Sequence, residues 1–572
     1  MDAATPTSNA TKVKKLIVCC DGTWMDSDSS VNHVPSNVTL LARAIKPADD
    51  DGTPQIVYYQ AGIGTGLGLW DQMVGGGTGL GYSENLREAY AFLAHNFHQE
   101  PDRSRSDSIF LLGFSRGAYT ARSLGGMIGQ LGLLTKKNMY WFIDIFRDWQ
   151  NAGNPHYTPA FWKNWSDYND RVFKGPRHSI KAPAGVLGGV NTYLEEYRKS
   201  LLKFGLTQEA DVTAIGVFDT VGALGIPINP FFQKTFRLPS FLHTYKWVDT
   251  SLDNHVKNAF QALALDEHRA PFLASVWEKS DDCQTNLKQV WFAGAHSNIG
   301  GAYSDIATAN LTLAWMMDQL AGDDLKRNKP SDWNSELWLD FDVGFIKNQR
   351  LLNLDYQQIL YGTARKWGLG TIYNSLTFPQ VLAGAGTRAP GRTRPVKYPH
   401  EVVDDTRLLR NTNERIHASV RVRNIRAGHF YEPDPDAGFT ARVVLKVLSA
   451  VASLVQKVTG RDAKRYYNTQ LGGPLKNWVL RDGFKIHDEY SIDVMDEHDQ
   501  GNGQTPYWEF HGKDSLLREG SIMPEDELGT FEKMLLKDYV DCAEWIEKSN
   551  GGQVRGVISP DAKNKDVQQI ST

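Results

Sequence analysis

The pentapeptide Gly113-Phe114-Ser115-Arg116-Gly117 follows the apolar run Ile109-Phe110-Leu111-Leu112 and opens onto a stretch of small residues that includes Ala118, Ala121, Gly125 and Gly126. A G-x-S-x-G sequence in that setting reads as strand, sharp turn and helix, with the serine hydroxyl exposed at the strained turn. The two glycines fit because a side chain at either position would meet the neighbouring strand or helix. The small residues beyond them let the helix pack closely on the strand. The helix N-terminus also directs N–H groups at the reaction centre. Ser115 is therefore the candidate nucleophile, set against the plainer reading of a structural turn serine.

Other apolar runs continue the pattern. Lys15–Cys20, Gln55–Tyr59, Val212–Phe218 and Val290–Ala293 read as strands. Ser83–His98 places Leu86, Tyr90, Leu93 and Phe97 on one helical face, and Ala307–Leu320 is a second helix. Asn254–Leu265 also reads as a helix. Strands alternating with helices imply an α/β fold, a mostly parallel sheet with helices on both faces. Such sheets bind ligands at the carboxyl ends of their strands. Asp21, Ser115, Asp219 and His296 each follow an apolar strand-like run.

A serine hydroxyl needs a base, and the base needs a group to orient it. In α/β-hydrolases the chain order is Ser, then Asp or Glu, then His. Ser115, Asp219 and His296 have that order. His417 is the alternative base, and His268, between Glu267 and Arg269, fits a structural ion-pair network. Asp219 can otherwise cap its own turn. The oxyanion of the tetrahedral intermediate requires two N–H donors, for which Arg116 and either Gly22 or Thr23 are the candidates. The glycine-rich segment 62–82 lacks the G-K-[ST] ending of a phosphate loop, so it reads as a mobile loop at the site mouth.

The domain reading is a tail at 1–13, a catalytic core at 14–325, a region at 326–550 that completes the core or cap, and a polar tail at 551–572. Aromatic-rich insertions at about 135–205 and 225–250 read either as a cap over the site or as an ordinary aromatic core. A net charge of −4 gives no sign of nucleic-acid binding. The four cysteines, two of them adjacent in a strand-like run, form no metal-binding or disulfide pattern. No metal or other cofactor is expected. Met1–Lys15 has no signal-like apolar stretch, which points to an intracellular, cytoplasmic protein. The apolar stretch at 440–458 is interrupted by Lys446 and Lys457, short of a clean membrane span. It is a candidate for peripheral membrane contact.

Five blocks together carry a family resemblance: Cys20-Asp21-Gly22-Thr23-Trp24, Gly113-Phe114-Ser115-Arg116-Gly117-Ala118, Phe218-Asp219-Thr220-Val221-Gly222, Asp266-Glu267-His268-Arg269 and Gly294-Ala295-His296-Ser297-Asn298-Ile299-Gly300-Gly301. Over roughly 14–320 the chain resembles the α/β-hydrolase family of type VI secretion phospholipase effectors and their uncharacterised fungal and bacterial relatives. The resemblance implies a Ser-Asp-His hydrolase of carboxylic esters, with phospholipid acyl esters as the known substrate class, and carries the triad onto Ser115, Asp219 and His296. Two other readings stand beside it. One is a hydrolase of small soluble esters or lactones with no membrane role. The other is a non-catalytic binding protein on the same fold. Neither acyl selectivity nor oligomeric state is written in these patterns.

Overall fold

Strands that lack alternating polar side chains must be covered on both faces, which is the situation of a parallel sheet flanked by helices. The computed structural model describes residues 13–22, 34–62, 80–100, 105–152, 157–173, 190–221, 251–322, 338–361, 367–375, 385–395, 407–426, 431–433, 473–484, 505–513 and 517–536. Among them, β1 (Lys15–Cys20), β2 (Gln55–Gln60), β3 (Ser108–Phe114), β4 (Val212–Phe218), β5 (Val256–Ala264), β6 (Asn286–Phe292), β7 (Glu414–His417), β8 (Trp478–Phe484), β9 (Thr505–Phe510) and β10 (Ile522–Asp526) form one sheet. Its spatial order is β8-β9-β10-β7-β6-β5-β4-β3-β1-β2. The pairings from β2 across to β10 are parallel, and β9 turns the edge antiparallel.

Both faces are packed. Leu16, Val18, Ile109 and Leu111 face one apolar cluster, while Ile17, Cys19, Phe110 and Leu112 face the other. The first face is covered by α2 (Leu80–Asn96) and α3 (Ser115–Leu131), and the second by α1 (Asn37–Ala44) and α8 (Ala307–Leu320). After β1 the chain pairs β2 on one side and returns with β3 on the other. The sheet order thus reverses at β1/β3, and Asp21 and Ser115 follow the carboxyl ends of those two strands. That is the place where open α/β sheets bind ligands.

One expectation is overturned. Residues 256–264 are the strand β5, not a helix. The run Phe260-Gln261-Ala262-Leu263-Ala264-Leu265 is short and apolar, and periodicity alone does not separate such a run from a buried helix. Position decides it, since β5 fills the slot between β4 and β6. Most of the described aromatic residues of 135–205 belong to α4 (Phe142–Gln150), α5 (Phe161–Phe173), α6 (Val190–Lys203) and the turn before α4. They pack on α2 and on the C-terminal turns of α3, away from its serine end. Phe142 stacks on Tyr90 at 4.9 Å, and the Trp149 indole donates to Gln130 at 2.8 Å. Residues 225–250 and the apolar stretch 440–458 lie outside the described residues, as do most of 62–82.

In the C-terminal part, strands β7 and β10 continue the parallel sheet past β6. They are held there by buried polar contacts. Trp315 of α8 donates to Asp526 at 2.8 Å, and the amides of Phe531 and Glu532 donate to Asp318 at 2.8 and 3.0 Å. Arg421, on α10 (Ala418–Arg426), meets Glu525 of β10 through two bonds of 2.7 and 2.6 Å, with both side chains buried. Removing one partner from such a pair strands a buried charge at a cost of about 3–5 kcal/mol. Arg421→Met should therefore lower the unfolding free energy by about 3–5 kcal/mol in chemical denaturation. A change below about 1 kcal/mol would show that the pair does not pin β10 to the sheet.

Candidate active site

The serine sits where β3 becomes α3, with φ of +58°. This is the left-handed region that non-glycine residues rarely occupy. Its neighbours leave little alternative. A Cβ at Gly117 would land on the carbonyl oxygens of Cys20 and Asp21, so α3 can start beside the end of β1 only with glycine there. A Cβ at Gly22 would stand 2.8 Å from the Phe114 ring and 3.5 Å from Ser115 Cβ. The β1 turn therefore passes directly beside the serine.

Asp219 follows β4 and also has positive φ, at +37°. His296 opens the single-turn helix α7 (His296–Gly300), after β6 and Gly294. The three side chains meet. His296 Nε2 lies 2.8 Å from Ser115 Oγ, and Nδ1 lies 2.7 Å from Asp219 Oδ2. A carboxylate can only accept, so Nδ1 carries the hydrogen and Nε2 is left to accept from the serine. The imidazole is held between Phe114 and Phe272, with ring centroids 4.7 and 5.0 Å away.

The electrostatics favour a neutral imidazole beside an ionised carboxylate. Burial pushes the His296 pKa below 6.5, against the opposing pull of Asp219. Burial alone would raise the Asp219 carboxyl, but Arg388, His296 and the Ala264 amide outweigh it and hold the group below the ordinary aspartate range. The Ala264 amide donates to Asp219 Oδ1 at 3.0 Å. The Arg388 guanidinium reaches both carboxylate oxygens, at 3.2 and 3.0 Å, and is itself only 4% exposed.

The Asp266-Glu267-His268-Arg269 block supports the histidine loop. Asp266 accepts the Gly294 amide at 2.7 Å, and Glu267 accepts the His296 amide at 3.2 Å. Arg269 forks onto Glu267 at 2.8 and 2.9 Å and covers the Phe272 ring at 3.5 Å. Burial would raise Glu267, but Arg269 draws it down to about 2. The His268 carbonyl accepts the Gly386 amide at 2.8 Å, which ties the Arg388-bearing loop to this block. Arg388 was not foreseen, because it stands in a Pro/Gly/Arg-rich loop with no periodicity and no motif. Glu267 was foreseen only as part of an ion-pair network around His268.

The remaining candidates are placed as follows. The Gly22 amide donates to Asp21 Oδ1 at 2.6 Å, so in this state it is engaged by its own neighbour. Asp21 also accepts from Ser36, Thr39 and Tyr59 at 2.6, 2.9 and 2.6 Å, and burial raises its pKa. Thr23 lies outside the described residues. Arg116 follows the serine in the first turn of α3, and burial lowers its side-chain pKa to about 10. His417 is not at the serine. Its ring bonds Ser419 and Glu532, both at 2.7 Å, and stacks on Phe292. It belongs to the seam between β7 and α11 (Thr530–Leu536), where burial takes its pKa to about 4. Among the described residues, no group of three or more His, Cys, Asp and Glu side chains is placed to hold a metal ion, and no helix is long and apolar enough to cross a membrane.

Comparison with known proteins gives consistent results. A protein of Saccharomyces cerevisiae, itself uncharacterized, is 26% identical over 286 residues, which are 47% of this chain and 33% of that one. The Tle1 effector, solved bound to the VgrG spike from the Type 6 secretion system, aligns over 53% of this chain and 56% of its own at 17% identity and a TM-score of 0.24. An uncharacterized protein from Pseudomonas aeruginosa aligns over 53% and 45% at 15% identity and a TM-score of 0.27. The chain spans about a third of the yeast relative and about half of each solved chain. Residues 14–319, more than half of the 572 in the chain, match the family described as T6SS, Phospholipase effector Tle1-like, catalytic domain, and the chain belongs to that family.

Proposed function

We propose that this protein is a serine hydrolase that cleaves carboxylic esters, with lipid acyl esters as its substrate class. One observation carries the chemistry: the continuous hydrogen-bond chain from Ser115 through His296 to Asp219, at 2.8 and 2.7 Å, at the end of the sheet where the strand order reverses. The substrate class rests on membership of the Tle1-like phospholipase effector family. The half-buried Phe272 beside the imidazole and the exposed Leu273 that follows it offer apolar surface at the histidine.

In this reading His296 Nε2 takes the hydroxyl proton as Ser115 Oγ adds to the ester carbonyl carbon. Asp219 holds the imidazole tautomer and stabilises the imidazolium that forms. The amide of Arg116 is the first oxyanion donor, being the residue after the nucleophile. Gly22 can supply the second only if its amide turns from Asp21 as charge develops on the substrate oxygen. The tetrahedral adduct then collapses, the ester C–O bond breaks, and the imidazolium returns its proton to the leaving alcohol. Water repeats the sequence on the acyl-serine and releases the acid.

A fluorophosphonate probe should label wild-type protein at Ser115, and Ser115→Ala should abolish both labelling and ester hydrolysis, with loss of at least about 10³-fold in kcat. Hydrolysis that survives in Ser115→Ala would sink the reading. Because burial depresses His296, the neutral base is present above its folded pKa and is lost as pH falls through it. The acid limb of kcat/KM should accordingly have its midpoint below 6.5, the ordinary imidazole value. A limb at or above that value would contradict the electrostatics of the site. Rates on phospholipid vesicles compared with short soluble esters decide the substrate class. Activity confined to the monomeric esters would favour a hydrolase with no membrane role.

A further inference from the structure

We infer that Arg388 is a positioning residue for the Ser115–His296–Asp219 triad, a buried guanidinium that keeps the Asp219 carboxylate oriented and offsets its pull on the imidazole. The inference deepens the hydrolase reading and rests on it. It stands on geometry. Both guanidinium Nη atoms meet the two carboxylate oxygens, so the contact is bidentate and fixes the plane of the carboxylate. Asp219 is fully buried and Arg388 nearly so, which leaves the pair little screened by solvent. Arg388 comes from the loop 385–395, and that loop is held against the site by the Gly386 amide on the His268 carbonyl and by the Arg269–Ala385 bridge. Among the described residues Asp219 is its one carboxylate partner. Arg388 also lines a cavity of about 350 Å³ together with Arg392 and Lys476, and none of its lining side chains among the described residues is acidic.

The consequence follows from charge arithmetic. A lone buried carboxylate beside an imidazole favours the imidazolium strongly, which would hold His296 in its protonated, inactive form to higher pH. With Arg388 present, protonating His296 places two cations on one carboxylate, and part of that advantage is lost. The other charges facing the imidazole form a second balanced pair, Glu267 with Arg269. Asp266 is turned to the Gly294 amide, and Arg116 follows the serine. Removing Arg388 therefore unbalances the site in one direction only. If Asp219 stays ionised, His296 becomes more basic. If Asp219 protonates instead, it stops accepting from Nδ1 until the pH is raised. Either change moves the acid limb upward.

The test compares wild type, Arg388→Gln and Arg388→Lys in the full chain. Arg388→Gln should move the acid limb of kcat, and of fluorophosphonate labelling, up by about 1 pH unit or more. KM should change little. Arg388→Lys keeps the charge and loses the fork, so its kcat should fall while the limb stays in place. The His296 ring titration, followed by NMR on histidine-labelled protein and assigned with His296→Gln, should move in Arg388→Gln but not in Arg388→Lys, upward where Asp219 stays ionised and downward where Asp219 takes the proton. A limb and a ring titration unmoved in folded Arg388→Gln would overturn the inference while leaving the hydrolase reading intact. Absence of wild-type hydrolysis and Ser115 labelling would remove the hydrolase reading, and the ring titration would still report on the charge balance. If Arg388→Gln does not fold, the double variant Asp219→Asn/Arg388→Gln, which buries no unpaired charge, should recover folding. Failure of the double variant to be more stable than the single one would show that the two side chains act independently, against the inference.

Discussion

The candidate site depends on a single fully buried charge. Asp219 has no solvent to stabilise its carboxylate, so the protein must supply donors from every direction. It does so from three separate parts of the chain: the Ala264 amide at the end of β5, the His296 imidazole at the start of α7, and the Arg388 guanidinium from the loop 385–395. Each donor answers the same desolvation cost. Displacing any of these segments leaves the carboxylate under-compensated, which is strongly unfavourable in a low-dielectric interior. The charge thus acts as a geometric constraint, drawing β4, β5, the histidine loop and a segment far along the chain to one point.

Backbone strain lies at the same point. Ser115 and Asp219 are both non-glycine residues with positive φ, and such conformations cost of order 1–3 kcal/mol each. They persist because the surroundings hold them. The contact of α3 with the end of β1 at Gly117 fixes the serine turn, and the donors around its carboxylate fix Asp219. The imidazole between them is wedged by Phe114 and Phe272 and fastened at its amide by Glu267. The strain and the rigid supports together keep the three groups within hydrogen-bond distance before any substrate arrives, the arrangement expected where preorganisation lowers a reaction barrier.

What was legible in the chain divides along the line between local and non-local information. The elbow could be read because Gly113, Ser115 and Gly117 answer a local steric demand that only a few sequences meet. Strands β1, β3 and β4 could be read because burial on both faces leaves continuous apolar runs. Asp219 and His296 could be placed at strand ends by the same runs. Strand β5 could not, because Phe260 to Leu265 is apolar in either conformation, and only its pairing with β4 and β6 selects the extended one. The aromatic residues near 140–200 announced burial but not against what, and that depends on the far end of α3. His417 ends β7 and His296 follows β6, so both stand at carboxyl ends of strands. Their difference lies in partners 115 and 77 residues away, Glu532 and Asp219, which no local pattern records. Arg388 carries no local signal at all, since its meaning is a carboxylate 169 residues earlier.

The same non-local contacts extend the scaffold of the candidate site beyond the family match. The family match ends at residue 319, close to the end of α8. The sheet does not end there. Strand β7 covers the open edge of β6 through Gln289, Val290 and Trp291, and β10 extends the ladder beyond it. Leu263 and Trp291 pack in a cluster with Ile416, Trp478, Trp508 and Met523, all from beyond the matched span. A chain cut after α8 would expose this apolar surface and an unpaired strand edge, an invitation to aggregation. It would also leave Asp219 buried without its guanidinium. Motif resemblance therefore marks where the candidate residues are written, and the physics of the edge and the charge requires a longer segment to hold them in place.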